Sequence, residues 1–531
     1  GVPAADVTNW PAGTVNIAVS GTNTAGTTTS ISHPVTVDLA AVAITINTLS
    51  TDDVINAAEK GSDLQLSGTT SDVEAGQTIT VIFGGKSYTT TVAAGGTWGL
   101  TIPAADLATL PDGAANVQAS VSNVAGNSAQ ATHAYSVDAT APSVTINTIA
   151  TDDVINAAEK GADLTLSGTT TNVEPGQTVT VTFGGKNYTA SVASDGSWTA
   201  TVPAADLASL PEGSASAQAS VSNINGNSAS AVHNYSIDSS APTIIINTVA
   251  SDNIVNASEA DAGVTVSGST TAEAGQIVTV TLNSPTVQTY QATVQADGSW
   301  SINIPAADLE ALTDGSHTLT ATVNDKAGNP ASTTHNLAVD LTVPVLTINT
   351  IAGDDIINAA EHGQALVISG SSTGGEAGDV VTVTLNSKTY TTTLDASGNW
   401  SVGVPAADVT ALGSGPQTVT ATVTDAAGNS DNETHTVTVN LAAPTIGINT
   451  IATDDVINAT EKGADLQITG TSNQPAGTTI TVTLNGQNYT AITDASGNWS
   501  ATVPASAVSA LGEANYTVTA NVTDSAGNSN S

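Results

Sequence analysis

Thr51-Asp52-Asp53-Val54-Ile55-Asn56-Ala57-Ala58-Glu59 returns residue for residue at 151–159 and, in altered form, at 251–259, 353–361 and 453–461. The tryptophans keep the same beat, at Trp98, Trp198, Trp300, Trp400 and Trp499, which sets a period of about 100 residues. Solenoid and β-helix repeats are far shorter, so a period of this length describes whole domains in series. Residues 40–139, 140–239, 240–341 and 342–441 each read as one copy. Residues 1–39 match the last part of a copy, with Trp10-Pro11-Ala12-Gly13 standing where Leu110-Pro111-Asp112-Gly113 stands later, and 442–531 reads as a copy lacking its last strand. Both ends fall inside repeats, so the chain reads as an excerpt of a longer array whose export signal lies elsewhere. The small surplus of the third full copy comes from Asn283-Ser284-Pro285-Thr286-Val287-Gln288, which replaces Gly184-Gly185-Lys186 and marks a hairpin tip.

Period-two alternation gives strands at 143–147, 164–168, 178–183, 187–192, 197–202, 216–222 and 231–238 of the copy 140–239. Tyr188, Ala190 and Val192 share one face, as do Trp198, Ala200 and Val202, and those faces are the expected core. Seven short strands in such a length predict an all-β protein: tandem immunoglobulin-like seven-stranded β-sandwiches arranged as an extended rod. Each sandwich spans about 35–40 Å, so five in line reach on the order of 200 Å. Asp138-Ala139-Thr140-Ala141-Pro142 and its counterparts ending at Pro242, Pro344 and Pro444 join the copies, and proline makes these linkers short and stiff. The first junction, Asp38-Leu39-Ala40-Ala41-Val42, has no proline.

The charge is lopsided, with 47 acidic residues against 7 basic and a formal net charge of −40. Nucleic acid and anionic membranes are therefore poor partners, and no run of 18 apolar residues offers membrane insertion. Absence of Cys and Met excludes disulfides and thiolate metal sites, leaving packing and oxygen-ligated ions as sources of stability. Ser, His and Asp are plentiful, but a triad would have to recur in every copy and no nucleophile elbow appears, so the chain reads as no enzyme. His33, His133, His233, His335 and His435 lie in phase with residues such as Tyr235 and Ile237, which makes them packed strand residues rather than zinc ligands. The repeated Trp alternates with core positions and belongs to the core rather than to a sugar platform.

In a sandwich of this strand order, the loops after the first, third and fifth strands gather at the pole facing the next copy. Three sets of acids should converge there. The loop after the first strand carries Asp52 and Asp53, Asp152 and Asp153, Asp252, Asp354 and Asp355, and Asp454 and Asp455. The loop after the fifth strand carries Asp106, Asp206, Asp308 and Asp408, and the linkers carry Asp138, Asp238 and Asp340. Two carboxylates about 4 Å apart repel by roughly 4 kcal/mol at an effective dielectric near 20, so such clusters want a cation. All-oxygen ligands suit Ca²⁺ better than zinc, although the spacing is not that of an EF-hand. The competing reading is a capping box: Asn156-Ala157-Ala158-Glu159 predicts one helical turn closed by Gly161, with Asp152 and Asp153 as turn formers.

The Asp-Asp-Val-Ile-Asn-Ala-Ala-Glu segment, the Ser197-Trp198 strand, Asn225-Gly226-Asn227 and the Asp-x-x-Ala-Pro linker together resemble the bacterial Ig-like repeats of giant type I-secreted adhesins, over nearly the whole chain. That resemblance implies export to the bacterial cell surface, Ca²⁺ at domain junctions stiffening the array, and contact with host or neighbouring cells through other parts of the parent protein. The matching positions are the paired Asp residues and the linker Asp residues; Asn253, Asn440 and Ala507 depart from the pattern. The expected function is a Ca²⁺-rigidified spacer supporting cell adhesion and biofilm formation. The alternative is a multivalent glycan-binding or self-association array, with specificity, and any homotypic contacts, in the variable loops at 283–289 and 371–379.

Overall fold

The computed structural model describes residues 1–283 and 286–531; Ser284 and Pro285, on which part of the expected hairpin-tip insertion falls, lie outside the described residues. The copy 140–239 shows how the alternation becomes a sandwich. β1 (Ser143–Val144) begins a three-stranded antiparallel sheet, in which β3 (Leu164–Thr171) lies between β1 and β6 (Ser197–Val202). A five-stranded sheet runs in the order β2 (Val154–Ile155), β8 (Ser228–Ile237), β7 (Gly213–Ser222), β4 (Thr178–Phe183), β5 (Lys186–Ser191). Alternate residues Val179, Val181 and Phe183 of β4 and Trp198, Ala200 and Val202 of β6 face each other as core.

The first strand, expected as one segment at 143–147, comes in two parts, and its second part lies inside the stretch expected to be the loop after it. Ala150, Thr151 and Asp153 adopt positive φ of 53°, 75° and 66°, which swings the chain from one sheet to the other. The second half, β2, then pairs parallel to β8, Val154 opposite Ser236 and Ile155 opposite Ile237. Asp153 stabilises the bend: its Oδ1 accepts the Ile149 N–H at 2.8 Å and its own N–H donates to the Ile149 carbonyl at 2.7 Å. The split lets one segment cover an edge of each sheet, which a single continuous strand could not do.

Trp198 is only 2% exposed and packs over Gly168 of β3. A Cβ on Gly168 would lie 1.9 Å from the Thr145 carbonyl oxygen and 2.6 Å from the Trp198 ring, so the glycine permits both the close approach of the first strand and the seating of the indole. The same contact recurs at Gly68, Gly268, Gly370 and Gly470.

The described residues group into two compact units, 1–241 with 326–329, and 242–325 with 330–531. The first holds the hairpin Gly13–Thr22 and Thr28–Val37 and two sandwich cores, around Trp98 and Trp198. The second holds three cores, around Trp300, Trp400 and Trp499. Among the described residues no helix is long and apolar enough to cross a membrane. Replacing Gly168 by Ala is expected to destabilise its own repeat by about 1–3 kcal/mol through overpacking. Amide hydrogen exchange should show faster opening of Leu164–Thr171 and Ser197–Val202 while the homologous strands around Trp98 keep their protection.

Candidate functional site

After the split strand the chain makes a short helix at Ala57–Lys60, Ala157–Lys160 and Ala257–Ala262, a hydrogen-bonded turn at 359–363 and a 3-10 turn at Glu461–Gly463. In Ala157–Lys160 the Asn156 side chain accepts the Ala158 and Glu159 N–H groups at 3.0 Å, and Glu159 returns to accept the Asn156 N–H at 3.1 Å. The capping box is therefore formed, and it consumes the glutamate. One donor of the first turn is still left over, as at any helix start. The following repeat supplies its partner. Asn227 accepts the Ala57 N–H through Oδ1 at 2.8 Å and donates through Nδ2 to the Asp138 carbonyl at 2.9 Å. Asn429 does the same with Ala257 and Asp340, and Asn528 with Ala359 and Asn440, at 2.8 and 3.0 Å in both cases. The residue before each asparagine is a glycine at positive φ, 82° at Gly226, 90° at Gly428 and 86° at Gly527, and at Gly527 a Cβ would also stand 2.9 Å from Asn358 Nδ2.

The structure places the predicted acids in three groups. Asp52, Asp152, Asp252, Asp354 and Asp454 each accept the N–H two residues ahead, at 2.9–3.1 Å, as turn formers do. Asp53, Asp153, Asp355 and Asp455 accept the N–H four residues back. The first three also meet a histidine from the strand equivalent to β8: His133 at 2.7 Å, His233 at 2.6 Å and His435 at 2.7 Å. These bonds, led by the Ile149 and Ile351 N–H groups, hold Asp153 and Asp355 below the usual carboxylate range. The histidines are thus half-buried partners of a bend, not members of the apolar core. Where Asn253 replaces the aspartate, His335 still pairs with it at 2.7 Å.

The second group also turns inward. Asp106, Asp206 and Asp408 pair with Lys86, Lys186 and Lys388 and accept a tyrosine hydroxyl, from Tyr88 at 2.6 Å, Tyr188 at 2.8 Å and Tyr390 at 2.9 Å. Asp308 takes Tyr290 at 2.7 Å. Burial, reinforced by the neighbouring carboxylate, pushes the Tyr188 hydroxyl up to about 12.

The linker acids reach the junctions. Asp38 and Asp138 are neutral-partnered there: Asn123 donates to Asp38 at 2.9 Å and Asn225 to Asp138 at 2.6 Å, and the Asn225 amide pulls Asp138 below its ordinary value. Asp238 accepts the Ser240 N–H at 3.3 Å. Asp340 has the opposite environment. The residue corresponding to Asn123 is Asp425, and the loop at 374–379 adds Glu376 and the buried Asp379. Burial pushes Asp340 up, and the charges of Asp425, Asp314 and Glu376 add to it. These acids and Thr342 line a cavity of about 280 Å³. The donor set is all oxygen and short of positive charge, which fits a hard divalent cation, although among the described residues no three carboxylates or histidines converge at ligating distance.

Residues that the sequence reading did not single out carry much of this arrangement. Asp314 accepts the linker's Leu341 N–H at 2.7 Å and the Thr342 hydroxyl at 2.5 Å, as Asp112 does at Ala139 and Thr140 and Glu212 at Ser239. The signal was present in Pro111-Asp112-Gly113 and its copies, and in the change from Gln77 and Gln177 to Asp379.

Residues 242–341, 367–441 and 448–531 match the bacterial Ig-like domain family. Among solved structures, one of a Ca²⁺-stabilized adhesin that helps an Antarctic bacterium reach out and bind ice is 37% identical, covering 76% of this chain and 99% of that one, with a TM-score of 0.33. A bacterial immunoglobulin-like domain of the M. primoryensis ice-binding adhesin is 42% identical over 19% of this chain and 99% of its own, with a TM-score of 0.16. A tetra-tandem repeat from the extending region of a large adhesion protein is 28% identical over 76% and 100%, with a TM-score of 0.33. No curated protein sequence matches the chain. The chain belongs to the bacterial Ig-like domain family, as a tandem array whose repeats resemble those of large adhesins.

Proposed function

We propose that the chain is a spacer of a large bacterial surface adhesin, exported and extracellular, which carries an adhesive region away from the cell and so supports adhesion and biofilm formation. Its finer sequence likeness is to the enterobacterial biofilm-associated protein BapA, whose repeat motifs it resembles. Contacts with other surfaces belong to other parts of the parent protein, and the spacer itself performs no catalysis.

The observation that carries the reading is the junction at Asp340. Adjoining repeats there set Asp340 against Asp425, with Glu376, Asp379 and Asp314 around the same cavity. Ca²⁺ held by these oxygens would neutralise the repulsion and fix one repeat on the next. The asparagine contacts at 429 and 528 orient neighbouring repeats without any ion, so the ion adds stiffness to a seam already aligned. Extracellular Ca²⁺ modules bind at about 0.1–1 mM, and a tenfold excess over such a constant adds roughly 1.4 kcal/mol to the bound state.

Small-angle scattering of the chain in EDTA and in millimolar Ca²⁺ tests the proposal: the maximum dimension should rise or its distribution narrow with Ca²⁺, and identical profiles would remove the stiffening role. Asp340→Asn with Asp425→Asn should weaken Ca²⁺ binding at that junction by about tenfold or more in calorimetry, while raising the junction's stability in EDTA, because it removes two facing charges.

The two types of junction should answer pH with opposite sign. Asp340 holds its proton to higher pH than it does in the unfolded chain, so its ionisation costs stability as pH rises through its folded value; Asp138, held ionised by Asn225, supports the fold above its unfolded value and loses that support as pH falls. Carboxyl-carbon NMR titration in EDTA should find Asp340 titrating above Asp138, and Ca²⁺ should move Asp340 downward. Asn429→Ala should leave the Ala257 N–H without its partner, a loss of about 1–3 kcal/mol visible as faster exchange of that amide.

A further inference from the structure

The repeats differ in what stands beside the acid that holds each linker. In the copy 40–139 the Lys60 ammonium, at the end of its helical turn, donates to the Leu110 carbonyl and lies 3.6 Å from Asp112. Asp112 in turn holds the linker, through the Ala139 N–H at 3.3 Å and the Thr140 hydroxyl at 3.2 Å. The copy 140–239 has the same chain of contacts. Lys160 donates to Glu212 at 2.9 Å and to the Ser239 hydroxyl at 3.3 Å, and Glu212 accepts the Ser239 N–H at 2.8 Å. Both lysine side chains are mostly covered, 18% and 16% exposed, so salt screens their charge poorly. Lys160, first among the donors to Glu212, holds that carboxyl well below the usual range, at about 2.

Where the acid is missing, the lysine is missing too. In the copy 342–441 Ser414 takes the place of Asp112, and His362, in the place of Lys60, meets the Leu412 carbonyl at 3.0 Å. The copy 240–341 breaks this pairing. Asp314 keeps the acid and its two bonds to the linker, but the place of Lys60 is taken by Ala260, which is buried in the apolar core.

The copy that follows adds acid there instead of base. Asp425 stands where the Asp138 seam has Asn223, and Asp379 where it has Gln177. The Asp138 seam thus sets three acids, Asp112, Asp138 and Glu174, beside one lysine, and each acid accepts a hydrogen bond, from the Ala139 N–H, Asn225 and the Ile224 N–H. The cavity at Asp340 is lined by five acids and no lysine. A buried hydroxyl adjoins it: Ser372, 7% exposed, has no hydrogen-bond partner for its Oγ. That Oγ and the Asp379 carboxylate lie 3.1 and 3.3 Å from the point where a Cβ on Gly375 would stand.

We propose that Lys60 is a built-in cation that makes the Asp138 seam independent of metal, whereas the Asp340 seam, which has no such lysine, answers to Ca²⁺. The array then has joints set by the ion and joints that the chain sets for itself. The Asp340 half rests on the Ca²⁺ reading above; the Lys60 half stands without it. An ammonium tethered to its own repeat stays in place at any ion concentration, while a bound ion stabilises only the joint that holds it. Lys160 serves the linker at Ser239 in the same way.

Amide hydrogen exchange of the full chain, followed in EDTA and in millimolar Ca²⁺, separates the two kinds of joint. Ca²⁺ should slow the Leu341 and Thr342 amides and leave those of Ala139 and Thr140 as they are. Lys60→Met in EDTA should speed exchange at Ala139 and Thr140 by about tenfold, while Leu64–Ser71 keeps its protection. Copying the Asp340 seam into the Asp138 seam, by Lys60→Ala with Asn223→Asp and Gln177→Asp, should make the Ala139 and Thr140 amides answer to Ca²⁺. Three results would each overturn the proposal and leave the Ca²⁺ reading standing: parent-chain protection by Ca²⁺ at Ala139 and Thr140 equal to that at Leu341 and Thr342, Lys60→Met without effect on those amides, or a triple variant indifferent to Ca²⁺. Leu341 and Thr342 amides that ignore Ca²⁺ would overturn the Ca²⁺ reading and the contrast built on it, while loosening by Lys60→Met would still confirm the lysine's part.

Discussion

The seams depend on an asparagine side chain that belongs to one repeat and completes the backbone of another. A helical turn as short as Ala57–Lys60 cannot satisfy its own first donors, and the Asp138 carbonyl stands at the very end of its strand, where the chain leaves one sandwich for the next. Asn227 bonds both with one planar amide, which fixes direction as well as distance. The neighbouring constraints follow from it: the left-handed glycine before the asparagine, the capping box that shapes the receiving turn, and the short proline linkers that keep the two within reach. Direction is set by neutral groups that do not respond to salt, which leaves charge free to vary from seam to seam.

That freedom is used. Asp38 and Asp138 receive amide donors from Asn123 and Asn225, so their charge is satisfied in place. At Asp340 the same loop offers Asp425, and the neighbouring loop has exchanged glutamine for Asp379. The result is a graded array: Asp38 and Asp138 have amide donors, Asp340 stands among acids around a cavity, and the seam at Asn440 carries Asp524 alone of that facing pair.

Much of the sandwich could be read from alternation, and the strands Thr178–Phe183 and Ser197–Val202 begin and end where the period-two pattern does. The buried tryptophans and the Asn-x-x-Glu turn were equally legible, since each depends on residues close in sequence. The split of the first strand was not, because β2 gains its partner from β8, some 80 residues on, and propensity at Ala150 and Thr151 argues against the positive φ they adopt. The acids show the same division. Asp53 reads as a turn residue or a ligand until His133 is brought beside it by the fold. Glu376, Asp379 and Asp425 acquire meaning only when loops from different strands are set against Asp340. The loop bearing Asp52 and Asp53 does reach the seam, but through Asn56 and Ala57, while its carboxylates bond back into their own repeat.

The parallel pairing of β2 with β8 bears on how a repeat answers tension. The chain enters a sandwich through β1 in the smaller sheet, crosses to β2 and leaves from β8, and β2 and β8 lie side by side, running in the same direction. A pull on the termini drags them lengthwise past each other, so the bonds at Val154 and Ile155 are strained together rather than opened one after another from an end. Together with β1, this short two-rung clasp stands between the termini and β3 to β7, so those inner strands carry no load until the clasp shears.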